Sequence, residues 1–330
     1  MRNNSRYSEF EPNIVVVGGG TGLSVILRGL KKTGAHISAI VTVSDDGGGS
    51  GVLRREMGML PPGDVRNCIL ALANEEDIME QLMQYRFKSG RLKNQNMGNL
   101  FIAALADIYG DFEKAVEKLH DILRIKGHVI PVTSEDITLC AVLEDGTVVR
   151  GESRIPVSVR QKGVPVRSVF LDPAEPEALE CAIDAIHSAD VIVMGPGSLY
   201  SSIVPNLLVK DVSGSIREAG AVKILICGLM TQPGETDNFT VCRYAEVVEE
   251  YLGKNCIDYM LINNHICSEE ELKAYAEHGS YQVVPTDGDR NKLIEMGIVP
   301  VENNLIEIGD SVIRHNADIV SSIILSIIHE

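Results

Sequence analysis

The sequence predicts an α/β fold: a doubly wound, mostly parallel Rossmann-like sheet with a helical insertion and a β-hairpin. Three observations predict it. Residues 14–17 are a β-branched run ending in glycine, which suits a strand buried on both faces. Residues 21–32 place Leu23, Ile26, Leu27 and Leu30 at helical spacing. Residues 37–43, ISAIVTV, form a second buried run, so the chain opens with a βαβ unit whose two strands are parallel.

The later elements follow in order. From 63 to about 125 the pattern is helical, over 65–74, 76–87, 99–109 and 112–123, and no strand run interrupts it. This is the helical insertion. Strands return at 128–133 and 138–151, and Asp145-Gly146 between alternating runs signals a hairpin. Beyond 170 the alternation resumes. A helix at 175–188 precedes a strand at 190–195, and further helices precede a strand at 222–228. A helix at 239–252 precedes a strand at 257–263, followed by a helix at 268–277 and a short strand at 281–284. The chain closes with 304–316 and a helix at 317–328. Without linker or repeat, residues 1–330 read as one domain.

Composition narrows the function. The 330 residues are 45% hydrophobic and 23% charged, with a formal net charge of -16. That balance argues against sequence-independent nucleic-acid binding, which runs on clustered Lys and Arg. It leaves small anionic ligands open, because a local site can be positive inside an acidic protein. The seven cysteines, Cys68, Cys140, Cys181, Cys227, Cys242, Cys256 and Cys267, are scattered and show no C-x-x-C. Neither a zinc site nor a disulfide framework is expected from them. The opening MRNNSRYSEFEPN has no apolar signal core, and 319–328 is too short an apolar run to span a bilayer. A reduced, cytoplasmic protein is expected.

Five stretches carry candidate chemistry. The first is Gly18, Gly19, Gly20, Thr21 and Gly22. Small residues let backbone approach a phosphate, and the N–H groups opening the next helix point at it. A faithful dinucleotide fingerprint would need glycine where Leu23 stands, and no Gly-Lys-Ser/Thr follows, which excludes a Walker motif. The second is 44-SDDGGGSG-51, where Asp45 or Asp46 could hold a ribose hydroxyl or Mg2+, or simply cap the next helix. The third is 61-PPGDVRN-67. Asp64 is placed as an N-cap, and Arg66 and Asn67 face a phosphate, a partner loop or plain solvent. The fourth, Gly195, Gly197 and Ser198, repeats the logic of the first, so two glycine turns should face one crevice. The fifth is the polar loop 227–240 with Thr231, Glu235, Thr236 and Asp237. No Ser–His–Asp trio and no metal triad is visible, which phosphoryl-transfer chemistry does not require.

The ordered blocks GGGTGLS, SDDGGGSG, PPGDVRN, MGNL, GPGSLYSSIVPNLL, MTQPGETD and RHNA resemble the CofD-like family. The resemblance runs over about residues 12–328 and is closest to the bacterial gluconeogenesis-factor (YvcK-like) branch, related to 2-phospho-L-lactate transferase. It implies a Rossmann-like fold, a cytoplasmic location and a homodimer. It also implies two functional faces. One is a regulator that binds UDP-activated amino sugars and supports cell-wall synthesis and cell shape on gluconeogenic carbon, with a cell-wall or regulatory protein as partner. The other is a transferase with a nucleotide diphosphate donor, in which Mg2+ on Asp45 and Asp46 would offset charge on the departing diphosphate. A third reading, an NAD-binding dehydrogenase, rests on the first βαβ unit alone. Carried onto this chain, the first glycine block and Ser198 contact phosphate or sugar, and Asp45 and Asp46 hold a ribose or metal. Asn99 adds an amide, and Arg314 pairs with the diphosphate through its bidentate guanidinium. Tyr275 stacks on a base or belongs to the core, and His315 is a general base or a cap-region residue.

Overall fold

A computed structural model describes residues 11–74, 77–309 and 312–328. The chain opens with β1 (Asn13–Gly18), α1 (Gly20–Leu30) and β2 (His36–Val41). Then come α2 (Gly48–Met57), α3 (Gly63–Leu72), α4 (Asp77–Gln84), α5 (Met97–Tyr109) and α6 (Phe112–Leu123), and after them β3 (His128–Pro131). An excursion follows: β4 (Thr138–Leu143), β5 (Val148–Arg150), a 3-10 turn at Glu152–Arg154, α7 (Ile155–Lys162) and β6 (Val166–Asp172). The second half holds α8 (Glu180–His187), β7 (Val191–Met194) and a π turn at Leu199–Ile203 that runs into α9 (Val204–Leu207). It continues through α10 (Val212–Glu218), β8 (Val222–Ile226), α11 (Val241–Leu252), β9 (Tyr259–Asn263), α12 (Glu269–Glu277), α13 (Asp287–Glu295) and β10 (Val299–Asn303). The antiparallel pair β11 (Ile306–Gly309) and β12 (Val312–His315) leads to α14 (Ala317–Ile328).

Among the described residues the main sheet has seven strands in the order β10-β9-β8-β7-β1-β2-β3, all parallel. β1 lies inside the sheet, between β7 and β2, because Ile14, Val15, Val16 and Val17 are all but inaccessible to solvent and need cover on both faces. α1 supplies it with Leu23, Ile26, Leu27 and Leu30, each fully buried and each stabilising by about 1.5–3 kcal/mol. α14 closes over α1 at Gly29, where any side chain would meet the Ala317 carbonyl. Strand order reverses between β1 and β7. The crevice outside the carboxyl ends at such a point is where this architecture takes ligands.

The fold class expected from the sequence is present, with local differences that have physical reasons. The hairpin turns at Asp145-Gly146, with Leu143 N–H donating to Thr147 O at 2.8 Å, but β6 joins it as a third strand. The helix expected at 175–188 starts only at Glu180. Its lead-in is committed elsewhere: Leu179 N–H donates to Val132 O, and Pro176 O accepts from Lys210 N–H. The strand expected at 281–284 is reduced to one bridge between Met230 and Gln282. Within the insertion, the helix expected over 76–87 ends at Gln84, because Tyr85 O and Phe87 N–H pair instead with Met97 and Gln95.

Candidate functional site

The two glycine turns interlock at the switch point. A Cβ on Gly22 would lie 2.7 Å from the Pro196 carbonyl oxygen, so only glycine lets α1 come this close to the second turn. A Cβ on Gly19 would lie 2.8 Å from an Asp64 carboxylate oxygen. Gly18 and Gly195 sit behind, where Gly195 N–H donates to Val17 O at 2.9 Å. Buried Asn206 clamps the assembly, donating to Gly18 O at 3.0 Å and to Ser202 O at 2.7 Å.

A cleft of about 580 Å³ opens over these turns. Of the residues singled out in the sequence, Gly19, Gly20, Thr21, Gly22, Gly197, Ser198, Tyr275, Arg314 and His315 line it. Leu23 does not: it is fully buried in the core beneath. Thr231 also lies behind the surface, where its hydroxyl accepts from Tyr281 N–H at 2.9 Å and steadies the loop after β8. The Ser198 hydroxyl donates to Glu235 at 2.5 Å, and its carbonyl accepts the first bonds of the π turn. Tyr275 offers its ring to the cleft while its hydroxyl accepts from Ile313 N–H at 2.8 Å, tying α12 to β12. Arg314 is exposed on β12 and makes no ion pair among the described residues.

His315 sits beside Arg314 but is buried, with Nε2 3.1 Å from Cys227 O. Burial holds its pKa near 4, so the ring is neutral and Nε2 is the donor. Its Nε2 ties β12 to the Cys227 carbonyl after β8, and the cap of α14 is Asn316, whose side chain accepts from Ile319 N–H at 3.0 Å.

The other predicted residues form a second group against the same turns. Asp45 folds back on Gly47 N–H at 2.8 Å and also takes Ser50. Asp46 goes elsewhere: its carboxylate accepts from Ser153 N–H at 2.9 Å, at the turn after β5. The two adjacent aspartates therefore do not converge as one chelating pair. Asp64, placed as an N-cap by the sequence, lies inside the first turn of α3 and accepts from Gly20 N–H. Burial first, and Asp45 second, push its pKa up to about 6. Glu152, which accepts from Ser44 at 2.7 Å, and Glu235 are raised too, chiefly by burial. Asn99 sits in the first turn of α5, donates to Ser50 at 3.4 Å and accepts from Arg66. Arg66 also donates to Asn67 at 2.7 Å, and burial lowers its pKa to about 10. The N-termini of α1, α2, α3 and α5 thus gather around one set of enclosed carboxylates and amides. Among the described residues, no group of three or more His, Cys, Asp or Glu side chains is arranged to hold a metal.

Sequence reasoning missed Asp64 and Glu152 as partners of Asp45. Positions 45, 64, 152 and 235 are far apart in the chain, and only the long-range packing joins them. The one available signal was Pro-Pro-Gly before Asp64, which stops one element and starts another within bonding reach of the glycine turn.

Fold and site together define a Rossmann-like α/β protein with a crevice over two interlocked glycine turns. The chain belongs to the CofD family, whose model, described as 2-phospho-L-lactate transferase CofD, matches residues 14–306. It is 47% identical over 317 residues to a putative gluconeogenesis factor of Clostridium acetobutylicum, covering 96% of this chain and 70% of the relative. A gluconeogenesis factor of Bacillus subtilis is 41% identical, with 97% and 99% of the two chains covered. A solved structure of a UPF0052 family member from Bacillus halodurans superposes with a TM-score of 0.91 at 41% identity, covering 96% of this chain and 100% of that one.

Proposed function

We propose that this chain is a gluconeogenesis factor that binds a nucleoside-diphosphate sugar, a UDP-activated amino sugar being favoured. In this reading it acts as a cytoplasmic, homodimeric regulator of cell-wall synthesis and cell shape during growth on gluconeogenic carbon, through a protein partner. One observation carries it: two interlocked glycine turns at the switch point, with the guanidinium of Arg314, which makes no ion pair among the described residues, lining the same cleft. Backbone N–H groups and a helix N-terminus suit a diphosphate, and a guanidinium holds a second oxyanion edge bidentately. Tyr275 and Tyr244 give the cleft aromatic walls for a base or sugar face. The names carried by the similar proteins from Clostridium and Bacillus agree with the gluconeogenesis-factor part of the reading.

A transferase reading is favoured by the enclosed carboxylates. Asp45 and Asp64 stand close enough for one to raise the other's pKa, and a divalent cation would relieve that repulsion. In that reading a Mg2+ would lie between Asp45 and Asp64 rather than between Asp45 and Asp46, since Asp46 turns away to Ser153. Against a dinucleotide, neither Asp45 nor Asp46 lines the cleft, so the ribose contact of that class has no evident residue.

Calorimetric titration with UDP-N-acetylglucosamine, GDP and NAD, with and without Mg2+ and with products followed by mass spectrometry, tests the reading. The expected result is selective UDP-sugar binding without turnover. Guanine preference, Mg2+ dependence or diphosphate cleavage points to the transferase instead.

A further inference from the structure

Between Gln81 and Ala106 the sequence has four cations, Arg86, Lys88, Arg91 and Lys93, and no Asp or Glu, in a chain of net charge -16. This is an ordered loop between α4 and α5. Phe87 N–H donates to Gln95 O and Asn94 N–H to Phe87 O, each at 2.9 Å, and Met97 N–H donates to Tyr85 O at 2.8 Å. Tyr85 and Phe87 pack edge to face, with ring centroids 5.2 Å apart. Arg86 is used internally, donating to Asn94 O at 2.6 Å. The tip is not: Lys88, Arg91 and Lys93 are exposed and make no ion pair among the described residues.

The base of the loop stands on the ligand-binding edge of the sheet. A Cβ on Gly49, in the first turn of α2, would lie 3.0 Å from Gln95 Oε1 and 3.5 Å from Asn94 O. Asn96 caps α5, and Asn99 in that helix reaches Ser50 beside Asp45. From Arg86 the charges run through Arg66 and Asp64 to the glycine turn.

We propose that the loop 85–96 is an electrostatic collector that draws anionic ligands to the cleft of an otherwise acidic protein. The ligand class is the nucleoside-diphosphate sugar, so the inference rests on the reading above. An anion approaching a net charge of -16 is repelled at long range. Charges more than about 10 Å apart are screened at physiological salt, so a local run of cations without ion pairs among the described residues, on the sheet edge that carries the cleft, outweighs distant acids. Such rim charges act on the association rate and its salt dependence, and leave the dissociation rate nearly untouched.

Stopped-flow binding of UDP-N-acetylglucosamine, read by tyrosine fluorescence in this tryptophan-free chain, tests it across ionic strength. For the native protein kon falls as salt rises; if net charge governed the encounter, kon would rise, and the proposal would be overturned. In Lys88→Gln/Arg91→Gln/Lys93→Gln, kon drops about tenfold at low salt, koff stays within about twofold, and the difference vanishes near 0.5 M salt. A control with the same charge change elsewhere, Lys126→Gln/Arg167→Gln/Lys254→Gln, keeps kon within about twofold. Equal slowing in both variants, or a loss carried by koff, refutes the collector. Should the triple variant unfold, Lys88→Gln and Lys93→Gln singly give the same sign. GDP run in parallel separates the two claims. If UDP-sugar does not bind at all, the functional reading fails, while the salt slope and loop dependence of GDP association still decide on the loop.

Discussion

Asp64→Asn is the substitution whose effect the structure fixes most closely. Asp64 accepts from Gly20 N–H inside the glycine turn, and burial raises its pKa from 3.8 to about 6. The folded state therefore holds a proton that the unfolded chain releases between those values. Stability falls as pH rises through that window, by about 1.36 kcal/mol per pH unit. The loss is about 0.5 kcal/mol at pH 4 and about 3 kcal/mol from pH 7 upward. Asparagine keeps an acceptor for Gly20 N–H and carries no charge, so it escapes this loss. Equilibrium urea unfolding from pH 4 to 8 should show the variant more stable than the native chain, the gap widening to about 3 kcal/mol. His315, held near 4 by burial, works in the opposite sense: its contribution is present above 6.5 and fades as pH falls toward 4. The two slopes nearly cancel between pH 4 and 6 in the native protein, and the variant exposes the histidine slope. An unchanged pH profile, or a variant less stable than the native chain at pH 7.5, would show that burial does not raise the Asp64 pKa.

Three further outcomes are expected. Gly22→Ala drives a Cβ to 2.7 Å from the Pro196 carbonyl oxygen, costing about 1–3 kcal/mol and lowering Tm by about 2–6 °C; a thermal scan showing no change would mean that the turns are not interlocked. Arg314→Ala leaves stability within about 0.5 kcal/mol, because the side chain is exposed, yet weakens diphosphate-ligand binding about ten- to hundredfold by calorimetry. Ser198→Ala strips the enclosed Glu235 carboxylate of its hydroxyl donor, costing about 1–3 kcal/mol where the acid is ionised and less as pH falls and burial favours its protonated form; a cost that does not change with pH would rule out a charged Glu235.

The central βαβ unit was readable because its signals are local. Ile14–Val17 and the 3.6-residue spacing of Leu23, Ile26, Leu27 and Leu30 identify β1 and α1 without reference to the rest of the chain. The second glycine turn was readable for the same reason. β10 was not: Pro300 interrupts its pattern, and the strand is tolerated only because it lies at the sheet edge, where a missing N–H costs nothing. β6 alternates over 166–172 between Pro165 and Pro173, and its partner β4 lies across α7 in sequence, so no turn signal announces the pairing. α13 is mostly polar and opens at Asp287-Gly288, which reads as a turn until the Thr286–Asp289 capping box is seen. The direction of Asp46 was illegible because neighbouring side chains leave the backbone in different directions, and which one faces the site depends on Gly151 and Ser153 over a hundred residues away.

The arrangement around Gly19 explains why the binding reading and the transferase reading share one pocket. A stable fold has no use for enclosed carboxylates at positions 64, 152 and 235, since apolar groups of like shape would remove their desolvation cost. Nearby helix N-termini of α1, α2, α3 and α5 lessen that cost, because their dipoles favour negative charge, though burial still wins and keeps these carboxyl pKas raised. A site built to stabilise anions from four helices accepts a diphosphate when the carboxylates are protonated or bridged by a cation, and resists it when they are bare. Proton and ligand binding should therefore be linked: UDP-sugar affinity rises as pH falls from 8 toward 6, with proton uptake on binding measurable as buffer-dependent heat in calorimetry. Affinity that is flat over that range would place the diphosphate away from Asp64, along the Arg314 wall of the cleft.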